Sequence, residues 1–129
     1  MSSIKARKGN PFEKLVAYNL QQIGFEVTRI DDNTAGVDLI ASDPGFSYYI
    51  ECKHHKAFSW NELAKIFYKT QEYAYKDHQD ALLVFRANRQ PVCVMYNDEY
   101  DRLQVCTFED FFQPHTWVTV PKGVKIWKT

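Results

Sequence analysis

Two short runs, Val37-Asp38-Leu39-Ile40-Ala41 and Tyr48-Tyr49-Ile50-Glu51-Cys52-Lys53, flank a segment that contains Asp43-Pro44-Gly45. Both are rich in β-branched, aliphatic or aromatic residues and bounded by breakers, which is the pattern of strands. Proline presets φ and glycine accepts positive φ, so the segment between them reads as a turn and the pair as an antiparallel hairpin. With Pro44 and Gly45 as the loop, Asp43 faces Phe46. Counting back along both strands then sets Asp38 opposite Glu51, roughly 4.5–5.5 Å apart at Cα. Period-two alternation places Lys53 on the face of Glu51, while Ile50 and Cys52 point the other way. Pro-Gly suits a type II turn better than the primed turns usual in hairpins. A slip of one residue would send the two carboxylates to opposite faces.

Like charges facing one another across paired strands are destabilising. At about 4 Å and an effective dielectric of about 20 the repulsion is on the order of 4 kcal/mol. Protonation, solvation or a cation can relieve it. Two carboxylates plus water are the usual protein share of a Mg²⁺ site that also binds phosphate, and a lysine beside such a site can orient water or stabilise charge on phosphate oxygens. That set suits metal-assisted phosphodiester hydrolysis. The residues alone equally allow Glu51 and Lys53 to be an ion pair on a solvated strand, with Asp38 merely at a strand start.

A chain of 129 residues reads as one domain, 1–129, with a real core and a basic arm, 1–9, carrying Lys5, Arg7 and Lys8. Net charge is zero, so composition exerts no overall pull toward nucleic acid. Three cysteines without C-x-x-C spacing support neither a disulfide framework nor a zinc site, and suit a reducing cytoplasm. No stretch approaches a transmembrane span, and no membrane partner is expected.

In chain order, Asn10-Pro11-Phe12-Glu13 starts a helix that ends at Gly24, with Glu13 as a capping carboxylate near the edge of the apolar face. Phe25 to Ile30 alternates as a strand, and Asp31 to Gly36 is a polar loop leading into Asp38. Ser59-Trp60-Asn61-Glu62 is a second capping box, opening a helix to about Lys76 that buries Leu63, Ile66, Phe67, Thr70 and Ala74. Ala81 to Phe85 reads as a strand covered on both faces, reached by a crossover. Pro91–Tyr96 and Leu103–Cys106 read as further strands, and Phe108–Phe112 as a helical turn. Trp117–Val120 and Val124–Trp127, around Pro121-Lys122-Gly123, read as a terminal hairpin.

The order helix-strand-strand-strand-helix-strand, with Glu13, Asp38 and Glu51-Cys52-Lys53 on its first four elements, resembles the PD-(D/E)XK nuclease superfamily. Within it, Lys8-Gly9, Phe12-Glu13, Gly24 to Arg29, Gly36 to Ala41 and Glu51-Cys52-Lys53 resemble the archaeal-type Holliday junction resolvases, over residues 7 to 85. The resemblance implies a restriction-endonuclease-like α/β fold: an αβββαβ core with a central mixed sheet flanked by helices, here extended by the C-terminal β-hairpin. It implies a homodimer and Mg²⁺- or Mn²⁺-dependent cleavage of DNA, branched or four-way junctions preferred. Asp38, Glu51 and the Cys52 backbone carbonyl would ligate metal, Glu13 would support it through water, and Lys53 would assist the nucleophile. Arg7, Lys8, Arg29, Asn33, Thr34, His55, Lys56, Lys69 and Gln71 would contact DNA. Val37 stands where those resolvases often carry proline, the 31–36 loop is short, and the chain is neutral where they are usually basic. A repair, restriction or single-strand nuclease, and a non-catalytic nucleic-acid-binding subunit, are the alternatives.

Overall fold

The computed structural model describes residues 10–31 and 36–127. Helix α1 (Pro11–Ile23) starts where the sequence dictates: the Asn10 side chain accepts from the Phe12 and Glu13 amides, and Pro11 sits in the first turn. It stops at Gly24, whose φ of 114° a side chain would strain. Strands β1 (Glu26–Arg29), β2 (Leu39–Asp43) and β3 (Phe46–His55) follow, then helix α2 (Trp60–Lys76) behind the complete Ser59–Glu62 capping box. Strands β4 (Asp80–Ala87), β5 (Cys93–Asn97) and β6 (Leu103–Thr107) and the short helix α3 (Phe108–Phe111) complete the set.

All six strands form one sheet in sequence order. β1, β2 and β3 pair antiparallel, β3 and β4 pair parallel across the α2 crossover, and β4, β5 and β6 are antiparallel again. This is the mixed sheet expected. The two helices cover opposite faces. Phe12, Val16 and Leu20 of α1 pack with Leu39, Ala41, Ile50 and Cys52 on one side. Leu63, Phe67 and Ala74 of α2 pack with Leu83, Phe85 and Met95 on the other. β4 is buried on both faces, which explains its unbroken apolar run. No helix among the described residues is long and apolar enough to cross a membrane.

The C-terminal hairpin does not form: none of residues 113–127 is strand. The turn is there, with the Val124 amide on the Pro121 carbonyl at 3.3 Å and Gly123 at φ 85°. A glycine at positive φ in the third position of the turn fits type II, as at Gly45, but here no ladder follows it. The flanks are held instead by helix side chains. Asn19 donates to the Val118 carbonyl and accepts from the Val118 amide, both at 2.9 Å, and Gln21 donates to the Ile126 carbonyl at 3.0 Å. The tail therefore covers a second side of α1, which is why the polar Asn19 is fully buried.

Asn19→Ala would remove both part-buried hydrogen bonds to the Val118 backbone, a loss of roughly 1–3 kcal/mol at about 0.5–1.5 kcal/mol each. Urea unfolding should show a lowered midpoint, and limited proteolysis should show faster cutting after Phe112. An unchanged midpoint would show that the tail is held by apolar contacts alone.

Candidate active site

The hairpin register is the one the sequence implies. Asp43 pairs with Phe46 around Pro44-Gly45, and the ladder runs back through Ile40–Tyr49 to Leu39–Ile50. Gly45 takes φ 101°, which accommodates Pro-Gly as a two-residue loop. Asp38 continues the ladder on the β1 side, while on the β3 side it shares Ile50 with Leu39, as in a bulge. Its amide donates to the Ile50 carbonyl and its carbonyl accepts from the Ile30 amide, each at 2.8 Å. The backbone of Asp38 is thus clamped between β1 and β3, and its carboxyl meets that of Glu51.

Alternation along β3 decides which way the side chains go. Ile50 and Cys52 point into the α1 core, and Tyr49 toward the α2 core. Glu51 and Lys53 share the face of Tyr49. One Asp38 carboxylate oxygen accepts from the Cys52 amide at 2.8 Å, a buried bond that fixes the side chain across the strand gap. Lys53 Nζ lies 3.5 Å from Glu51 Oε2. Glu51 is only 12% exposed and Lys53 36%, so the carboxylate is largely withdrawn from water while the ammonium reaches it. Burial first, then the charge of Asp38, pushes the Glu51 carboxyl up from 4.5 to about 7; Lys53 pulls the other way, and a hydrogen bond to Asp38 adds to the rise.

Neighbouring elements hold this arrangement. Thr70 of α2, fully buried, donates to the Gly36 carbonyl at 2.7 Å and so ties the chain entering Asp38 to the helix. Gly36 has φ 70°, and a Cβ there would stand 3.1 Å from the Lys69 side chain, whose stem crosses it. On the other side, the first turn of α1 meets the end of β3, with the Phe12 ring 5.4 Å from that of His54. Glu13 is buried at 1% exposure, and Asn10 donates its side-chain amide to Glu13 Oε2 at 3.3 Å. The expected capping box is therefore made through the asparagine side chain.

The other sequence candidates fall in several places. Lys69 lies beside Gly36 on the site face. His55 stacks on Phe58, and Lys56 is exposed. Arg29 pairs with Leu39, whose side chain enters the α1 core, so Arg29 lies on the face opposite Glu51. There it pairs with Asp31 at 3.2 Å and covers the Trp127 ring at 5.4 Å. Gln71 borders a cavity with Tyr48, Asp80, Tyr96 and Asp98, and none of Glu13, Asp38, Glu51 or Lys53 lines it. Arg7, Lys8, Asn33 and Thr34 lie outside the described residues. The sequence pointed to Thr70 only as a buried helix residue; a hydroxyl amid an apolar stripe was the available signal of its tie to Gly36.

Among the described residues no three His, Cys, Asp or Glu side chains gather into a metal set of their own. Asp38 and Glu51 offer two carboxylates in a confined space, a donor pair suited to a hard divalent ion that keeps several waters. The Glu51 carboxyl is raised first by burial and then by the Asp38 charge, and a cation between the two would oppose both.

Residues 4–90 match the restriction endonuclease family Mrr_cat, and the chain belongs to that family. Among solved structures it is similar to Hjc of Archaeoglobus fulgidus, a Holliday junction resolvase from an archaeal hyperthermophile. The similarity has 18% identity and a TM-score of 0.52, and covers 86% of this chain and 92% of that one, which places the two in one fold. No curated protein matches at the level of sequence.

The Glu51 carboxyl binds its proton more tightly in the folded than in the unfolded state. Its contribution to stability is therefore full below the unfolded value of 4.5 and lost as pH rises through about 7. In EDTA, urea unfolding should show wild type losing roughly 2–3 kcal/mol relative to Glu51→Gln between pH 5 and pH 8. The same pH dependence in both proteins would contradict the burial of Glu51 beside Asp38.

Proposed function

We propose that this chain is a divalent-metal-dependent DNA endonuclease that hydrolyses phosphodiester bonds in branched DNA, with the four-way Holliday junction as preferred substrate. Membership of the restriction endonuclease family supports the reaction class. Likeness in fold to a protein described as a Holliday junction resolvase supports the choice of substrate. The observation that carries the reading is the meeting of the Asp38 and Glu51 carboxyls with Lys53 alongside.

Mg²⁺ or Mn²⁺ held there supplies Lewis-acid polarisation of the phosphate and acidification of water. Asp38 and Glu51 hold it as carboxylates, with the Cys52 carbonyl as a further ligand and Glu13 acting through water. That carbonyl suits the role because Ile50 and Cys52 both direct backbone groups toward the β2 side. Lys53, anchored by Glu51 yet open to solvent, orients the attacking water and stabilises negative charge building on the phosphate. Lys69 and Lys56 lie where the DNA backbone would approach, with His55, Arg7, Lys8, Asn33 and Thr34 as further DNA contacts. Arg29 and Gln71 would reach DNA only away from the carboxylate pair. A homodimer would present two such sites for paired nicks in symmetric strands. Selectivity would then rest on DNA shape and backbone rather than base identity. Its three free cysteines suit work in a reducing cytoplasm.

The family's restriction endonuclease name favours a second reading, cleavage of ordinary duplex. Labelled four-way junctions, flaps, duplex and single strands with Mg²⁺ separate the two. Paired symmetric nicks confined to junctions are expected, and cutting of plain duplex would support the second reading. Asp38→Asn and Glu51→Gln should each lower cleavage by at least about 10²-fold while junction binding survives. Lost binding in a folded variant would contradict the assigned roles.

A further inference from the structure

We propose that His55 and Phe58 form a stacking platform for an unpaired nucleobase beside the carboxylate pair, an inference that rests on the nuclease reading of that pair. The two rings lie 4.8 Å apart with an interplanar angle of 17°, a near-parallel stack. Phe58 is braced edge-on by Phe85 at 5.5 Å and 75°, and it packs against the α2 core. Phe85 is buried and stands in register with Lys53 on the adjacent strand. A column of rings thus runs from the core to the surface and ends in the exposed imidazole of His55. A base landing on that ring meets a plane already held in place, so little side-chain freedom is lost on contact.

The position fits a substrate engaged at Asp38 and Glu51. Glu51, Lys53 and His55 occupy alternate positions of β3 and share one face. At roughly 3.3 Å per residue His55 stands about 13 Å along the strand from Glu51. Stacked nucleotides rise about 3.4 Å each, so that span brings a base some four nucleotides from the cut onto the ring. Bases freed from pairing at a branch are the ones that stack on aromatic and histidine rings.

A phosphate contact is the other role open to His55, and its surroundings disfavour it. The Glu62 carboxylate, held by the Ser59 amide at 2.9 Å, lies near His55. A carboxylate at that spot repels phosphate but leaves a neutral base face untouched.

The test uses 2-aminopurine placed in turn at each nucleotide within four of the cut, in four-way junctions bound in EDTA so that no cleavage occurs. Wild type should quench the probe at one position. His55→Phe keeps a ring without charge and should retain that quenching, with affinity within about twofold. His55→Lys keeps a cation without a ring and should lose the quenching and bind on the order of tenfold more weakly, as expected for one base–ring stack. If the lysine variant binds like wild type while the phenylalanine variant weakens, or if wild type binds without quenching at any position, the platform is overturned. A protein that binds no DNA overturns the nuclease reading itself, and the platform with it.

Discussion

The backbone pairing of β2 with β3 is the constraint on which the site depends. It gives Asp38 no choice of partner, because its amide and carbonyl are both committed to neighbouring strands at 2.8 Å. With the backbone fixed, the side chain meets Glu51 and is held there by the Cys52 amide. The fold spends stability to hold two acids together. The raised Glu51 carboxyl is where that expenditure shows. A sheet built only for stability would place an apolar or oppositely charged residue at one of the two positions.

The rest of the molecule protects that geometry. The parallel β3–β4 pairing carries eight register pairs, from Tyr48–Asp80 to His55–Ala87, and buries the strand that bears Glu51 and Lys53 in the middle of the sheet. Helix α2, required to connect those parallel strands, returns over the same face and ties down Gly36 through Thr70. Helix α1 supports the opposite face and is itself backed by the C-terminal tail through Asn19 and Gln21. The charged groups sit where three supported elements meet rather than on a loose loop.

Much of this was legible in the residues, and the exceptions have a common cause. The register followed from alternation plus a two-residue turn, both local. β4 followed from an apolar run that only two-sided burial explains. The runs Trp117–Val120 and Val124–Trp127 around Pro121-Lys122-Gly123 suggested paired strands, but such runs say nothing of what satisfies the backbone. There the partners are amide side chains about a hundred residues away in sequence, at separations of 99 and 105. Arg29 and Gln71 illustrate the same limit for the site. Helical or strand period shows that a residue borders an apolar face, but which face, and which end of the sheet, depends on pairings such as Arg29–Leu39. Thr70 was legible as buried and not as a tie, since its partner is a backbone carbonyl with no sequence mark.

The most direct measurement is anomalous diffraction from crystals soaked in Mn²⁺, which locates the ion without reference to activity. The account predicts a single strong peak bridging the Asp38 and Glu51 carboxylates, with Lys53 turned toward it. Carboxylates directed to separate sides of the sheet, or a peak elsewhere with none between them, would contradict it.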